Sequence, residues 1–155
     1  MGLALGVVFL GLLTFFTATF WHMLTANSAW AATHWTGSEG AAEALNVMGA
    51  DVAQATSVTV GPGSLTCQWT TTAGTAVQVA YQETQGVLLR TVTTTPAGGS
   101  PTRTTRPVTT GLASTGFQVS QPTSATVTVT LTWQTGASTV SSASTFTVRA
   151  WAPAP

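Results

Sequence analysis

The chain begins MGLALGVVFLGLLTFFTATFWHML, twenty-four residues without one Asp, Glu, Lys or Arg. A helix through this stretch is apolar all the way round: Phe9, Phe16 and Phe20 share one stripe, and Leu12, Leu13 and Phe15 fill others. Such a helix has no face to offer water and needs apolar surroundings on every side. At 1.5 Å per residue, about twenty residues cross the ~30 Å hydrocarbon layer of a bilayer. Trp21, Trp30 and Trp35 then fall where an interfacial belt lies. A membrane span satisfies the requirement, and so does the interior of a helical bundle. The first charged residue is Glu39 and the first basic one Arg90, so nothing near the start would orient an inserting helix. A basic leader removed ahead of Met1 is therefore expected.

No proline interrupts the chain before Pro62, and AAEALNVMGADVAQA is rich in strong helix formers. Leu45, Met48, Val52 and Ala55 recur at helical spacing, with Glu43, Asn46, Asp51 and Gln54 on the other side. The pattern predicts one long helix over 1–56: residues 1–24 as transmembrane or filament-core half, residues 25–56 as an amphipathic half packed through Leu45, Met48 and Val52. Its weak point is THWTGSEG, where Gly37 and Gly40 bracket a serine.

After GPGS at 61–64 the period switches to two, as in Val77, Val79 and Tyr81 or Val127, Val129, Leu131 and Trp133. Turn chemistry at 71–75, 83–86, 95–101, 121–124 and 134–137 separates six or seven strands, near 57–60, 65–71, 75–82, 86–94, 112–119, 125–134 and 139–150. Short loops make them mostly antiparallel. The expectation is an α+β fold, a Thr/Ser-rich antiparallel domain over 57–155 whose free sheet face is covered by the amphipathic half of the long helix.

Charged residues are 5% of the chain, against about 25% in ordinary soluble domains. Four Arg balance four acids, so no broad field exists to attract nucleic acid or anionic lipid, and little repulsion keeps copies apart. Self-association is a natural consequence. Of 33 threonines many fall on outward strand positions such as Thr126, Thr128, Thr130 and Thr132, giving a hydrated face. Cys67 is alone in a strand-like run with no basic residue nearby, which suits a small buried side chain better than a reactive thiol. His22 and His34 have no His, Asp or Cys three or four residues away, so no metal site is supported. Phosphate loops and nucleophile elbows are missing, and GPGSL precedes a strand, not a helix. No catalytic residue, cofactor or metal is expected. The local basic feature is SPTRTTRP at 100–107, where Arg103 and Arg106 sit in what reads as a solvated loop that could touch phosphates or an acidic partner.

The layout resembles the type IV pilins, with their relatives the minor pilins and the pseudopilins of type II secretion. The stretch AAEALNVMGADVAQATSV, followed by VQVAYQETQGVLLRTV and LASTGFQVS, is similar to the helix end, central hairpin and following strand of larger minor pilins. The resemblance implies a structural subunit, not an enzyme. A prepilin peptidase would trim it, the cytoplasmic membrane would hold it, and an assembly machine would transfer it into an extracellular homo-oligomeric helical filament. The filament core would then be Met1, Leu3, Leu5, Val8, Phe9, Leu12, Leu13, Phe16 and Phe20. Leu5 departs from the family, which usually carries a glutamate at the fifth mature position; the proline in the twenties and the C-terminal disulfide loop are missing too. A minor subunit priming or capping a filament, and a monomeric membrane-anchored binding module, are the alternatives.

Overall fold

The computed structural model describes residues 15–21, 23, 40–135 and 138–148. The chain divides into two compact units, Met1–Thr36 and Gly37–Pro155. That division falls inside the glycine-bracketed THWTGSEG stretch.

The expected α+β architecture with a single sheet is overturned among the described residues; of the helix expected over 1–56, residues 1–14, 22 and 24–39 lie outside them. Strands make up 61% of the described residues and lie in two sheets. Helical residues among those described are 15–21, 23 and 40–54, and no helix there is long and apolar enough to cross a membrane. The fold is β-rich. Strong helix formers concentrate in 40–55, whereas the Thr- and Val-rich remainder favours pleated structure.

In the second unit, β1 (Ser57–Gly61), β2 (Ser64–Thr70), β3 (Ala76–Thr84), β4 (Val87–Thr95) and β5 (Thr102–Thr109) form one antiparallel meander. A second sheet holds β6 (Leu112–Thr123), β7 (Thr126–Thr135) and β8 (Ser138–Thr147) in that order. The single sheet expected from the sequence is thus two. Strand β5 occupies the segment read there as a solvated loop. Its Arg and Pro content suggests a loop, but an edge strand tolerates both, and Pro107 sits beside the register shift at Leu88 and Leu89.

Pairing sets whole rows of side chains on the inner face. Val58, Cys67, Val79 and Val92 form one such row across β1 to β4, and Leu65, Tyr81 and Arg90 form the next across β2 to β4, with Arg106 paired beyond Arg90 on the exposed edge strand β5. On the other sheet Val119 faces Val129, Phe117 faces Leu131 and Leu112 faces Trp133. The inner rows of both sheets join Ala41, Ala44, Leu45, Met48, Val52 and Ala55 in one core. Met48 and Val52 are fully buried there, each contributing about 1.5–3 kcal/mol relative to exposure.

Helical residues 40–54 touch both sheets. A Cβ on Gly49 would meet the Phe146 ring of β8 at 2.8 Å, while Asp51 bonds Arg90 of β4. Two residues apart on a helix means about 200° of rotation, so the two sheets lie against opposite flanks.

Strand β6 ties the sheets together. The β3–β4 hairpin closes through Gln85 and Gly86 at φ 52° and 74°, the pair of positive values that a two-residue type I′ turn demands. The Gly86 carbonyl then accepts from the Leu112 N–H at 2.9 Å.

Candidate functional site

Within the first unit, residues 15–21 and 23 are helical. Phe15, Phe16, Phe20, Trp21 and Met23 are each 65–68% exposed. Their positions spread over well over half the circumference of a helix, so they form no single buried stripe. Phe15 and Phe16 meet edge to face, with ring centroids 6.4 Å apart. A polar side chain among them is accommodated locally: Thr19 Oγ1 donates to the Phe15 carbonyl at 2.8 Å, which satisfies a hydroxyl without water. Leaving five large apolar side chains in water forfeits on the order of 10 kcal/mol of burial, so this surface calls for an apolar environment. Phe16 and Phe20 of the expected filament core lie here. Met1, Leu3, Leu5, Val8, Phe9, Leu12 and Leu13, together with His22 and His34, lie outside the described residues.

Among the described residues the second unit contains one buried ionic knot. Asp51 is 5% exposed and uses both carboxylate oxygens. Oδ1 accepts from Arg90 Nη2 at 2.8 Å, and Oδ2 accepts from Arg90 Nε at 2.8 Å and from the Tyr81 hydroxyl. The two-point fork fixes the guanidinium plane as well as its charge. The hydrogen bond to Asp51 raises the Arg90 pKa further, and burial, then Asp51, raises that of Tyr81. The arrangement is closed and pins helix to sheet. Sequence periodicity put Asp51 on the polar side of its helix; its burial corrects that, because an inward Arg90 in the same core supplies the opposite charge. Leu45, Met48 and Val52 are buried on the same stretch.

Cys67 lies under this knot, fully buried. Burial, followed by the Asp51 charge, pushes its thiol from 9.0 up to about 12. A thiol that ionises near 9 unfolded and near 12 folded keeps its proton longer in the fold, so its contribution is whole below pH 9 and is lost toward pH 12. Tyr81, also raised, acts in the same direction. The urea midpoint of the full chain in detergent micelles is accordingly expected to fall between pH 9 and 12, and Cys67→Ala to remove the first part of that fall. A flat wild-type midpoint across this range would show that the thiol reaches water.

A cleft of about 600 Å³ opens where the β1–β2 turn, the end of β3 and β6 meet, lined by Pro62, Gln82, Glu83, Thr115 and Gln118 among others. Its carboxylate is already engaged: Glu83 Oε2 accepts from the Phe117 N–H at 3.0 Å. Asp51 and Glu83 therefore serve different partners and make no acid/base pair. Among the described residues no three His, Cys, Asp or Glu side chains gather to hold a metal. Arg103 and Arg106 are exposed on β5, where Arg103 pairs with Thr93 and Arg106 with Arg90. Being three residues apart on a strand, they leave from opposite faces and form no shared basic patch.

Outward positions are hydroxyl-rich and bonded across strands: Thr91 with Thr105 at 3.0 Å, Thr128 with Thr145 at 3.0 Å and Thr132 with Ser141 at 2.9 Å. Comparison with protein-family models, curated proteins and solved structures returns no match.

Proposed function

We propose that the chain is a structural subunit of an extracellular, type IV pilus-like helical filament, assembled through the apolar residues of its first unit while the β unit faces water. The observation that carries this reading is the band of Phe15, Phe16, Phe20, Trp21 and Met23, each about two-thirds exposed. The two-sheet β unit is no support for it, since that architecture departs from the pilin layout; the apolar segment stands alone as the argument.

In this reading the segment rests in the cytoplasmic membrane until an assembly machine moves it among copies of itself. Lipid contacts are exchanged for protein contacts, and the apolar surface stays out of water at about 25 cal/mol per Å² throughout. Head-to-tail contacts that do not close on themselves propagate as a helical filament. A prepilin peptidase is the processing partner, and nucleic acid is not a partner of so uncharged a chain.

The test is electron microscopy of sheared cell surfaces, with mass spectrometry of the fibres, for the wild type and a Phe16→Glu/Phe20→Glu variant. Filaments containing the wild-type chain, lost in the variant while its β unit keeps its urea transition, are expected. A wild-type chain that stays one per detergent micelle and yields no fibres would overturn the proposal in favour of a membrane-anchored monomer.

A further inference from the structure

Among the described residues four strand edges bound the two sheets, and three of them carry features that resist pairing with another chain. Strand β5 has Arg103, Arg106 and Pro107. Strand β1 is five residues long. Strand β6 holds Pro122 and register shifts at Leu112/Phe117 and Ser120/Thr123. Strand β8 has none of these. Its ten residues, STVSSASTFT, contain no charge and no proline, and they pair with β7 in unbroken register from Thr126↔Thr147 to Thr135↔Ser138. Every odd-numbered side chain from Thr139 to Thr147 is exposed.

The sequence of this edge reads the same in both directions by chemical class. About Ala143, Ser142 mirrors Ser144, Ser141 mirrors Thr145, Val140 mirrors Phe146 and Thr139 mirrors Thr147. An antiparallel strand meeting its own copy across a two-fold axis requires such symmetry, because each residue must suit its mirror image. The parity also agrees. Registers in which paired numbers sum to an even value keep inner faces together, and an axis through Ala143 does so, setting Val140 against the partner subunit's Phe146 on the core side and hydroxyls against hydroxyls outside.

We infer that β8 is a homodimerisation edge, pairing antiparallel with β8 of a second copy about Ala143 to join the two three-stranded sheets into one of six strands. The occupant is a second copy and not a foreign peptide, because the edge complements itself and a chain of zero net charge does not repel its copies. This contact is two-fold and closed, so it is separate from filament growth and does not rest on that reading.

Cysteine cross-linking of the full chain in detergent micelles tests it. Facing residues have Cα atoms about 4.5–5.5 Å apart, within disulfide reach. Native Cys67 is buried and stays silent. Under mild oxidation Ala143→Cys is expected to dimerise at least about tenfold faster than Thr130→Cys, which lies on the neighbouring strand, because pairing raises the local thiol concentration. Thr139→Cys and Thr147→Cys chains are expected to cross-link when mixed, and neither alone. Ala143→Lys, which sets two ammonium groups together, is expected to abolish the dimer. Equal rates at positions 143 and 130, or a Thr139→Cys chain that cross-links to itself, would overturn the inference. Association through the apolar segment gives no such register dependence, so failure here leaves the filament reading standing and the reverse.

Discussion

Replacing Asp51 with alanine is expected to lower the stability of the β unit by about 3–5 kcal/mol. The substitution leaves the Arg90 guanidinium, on a side chain 15% exposed, without its counter-charge, and the Tyr81 hydroxyl, fully buried, without its acceptor. Stranded buried donors cost more than the original bonds contributed. The measurement is the urea midpoint of the full chain in detergent micelles. A triple variant, Asp51→Leu/Arg90→Met/Tyr81→Phe, is expected to recover most of the loss, since it strands no polar group. A loss below ~1 kcal/mol for Asp51→Ala would show that water already solvates the guanidinium, as at a surface pair.

Gly116→Ala is expected to cost about 3 kcal/mol or more, the upper end for overpacking. A Cβ there would lie 2.4 Å from the Thr132 carbonyl oxygen, 2.7 Å from that of Ala113 and 2.9 Å from the Ala113 nitrogen. All three are main-chain atoms, so no side chain can swing aside, and β6 would have to part from β7 beside the bulge where Thr115 holds φ 60°. Gly98→Ala is the matched control. Its Cβ meets nothing within 4 Å and only its φ of 73° opposes the change, a cost of about 1–2 kcal/mol. Equal losses at the two sites would mean that the bulge yields freely.

Period-two alternation made most of the strands legible. The inward rows of β2, β3 and β7 follow directly from Leu65, Cys67, Val79, Tyr81, Val127 and Val129. Strand β5 was hidden because an edge strand with two arginines and a proline has the composition of a loop. The second sheet was hidden because alternation says which residues point inward, not which strands share hydrogen bonds. Of the long helix expected over 1–56, residues 15–21, 23 and 40–54 are described and helical, and the rest of that stretch before residue 40 lies outside the described residues. Asp51 illustrates a signal that the sequence carries through the position of its partner. In a chain with four Arg, one of them on an inward strand position between Leu88 and Val92 requires a buried acid, and Asp51 stands beside Val52 on the packed helix. Phe16 and Phe20 belong to the apolar run that hydropathy marks, whereas the mirror symmetry of β8 acquires meaning only once the sheet order makes that strand an edge.

The cross-strand hydroxyl bonds have an environmental consequence. Pairs such as Thr91 with Thr105 and Thr128 with Thr145 join groups that neither gain nor lose protons under any ordinary condition. Attractions between neutral dipoles are also untouched by the ion atmosphere that weakens exposed charge pairs. These hydroxyl faces should therefore present the same wetted coat in brine, in fresh water and in acid runoff, with the one ion pair among the described residues sheltered beneath.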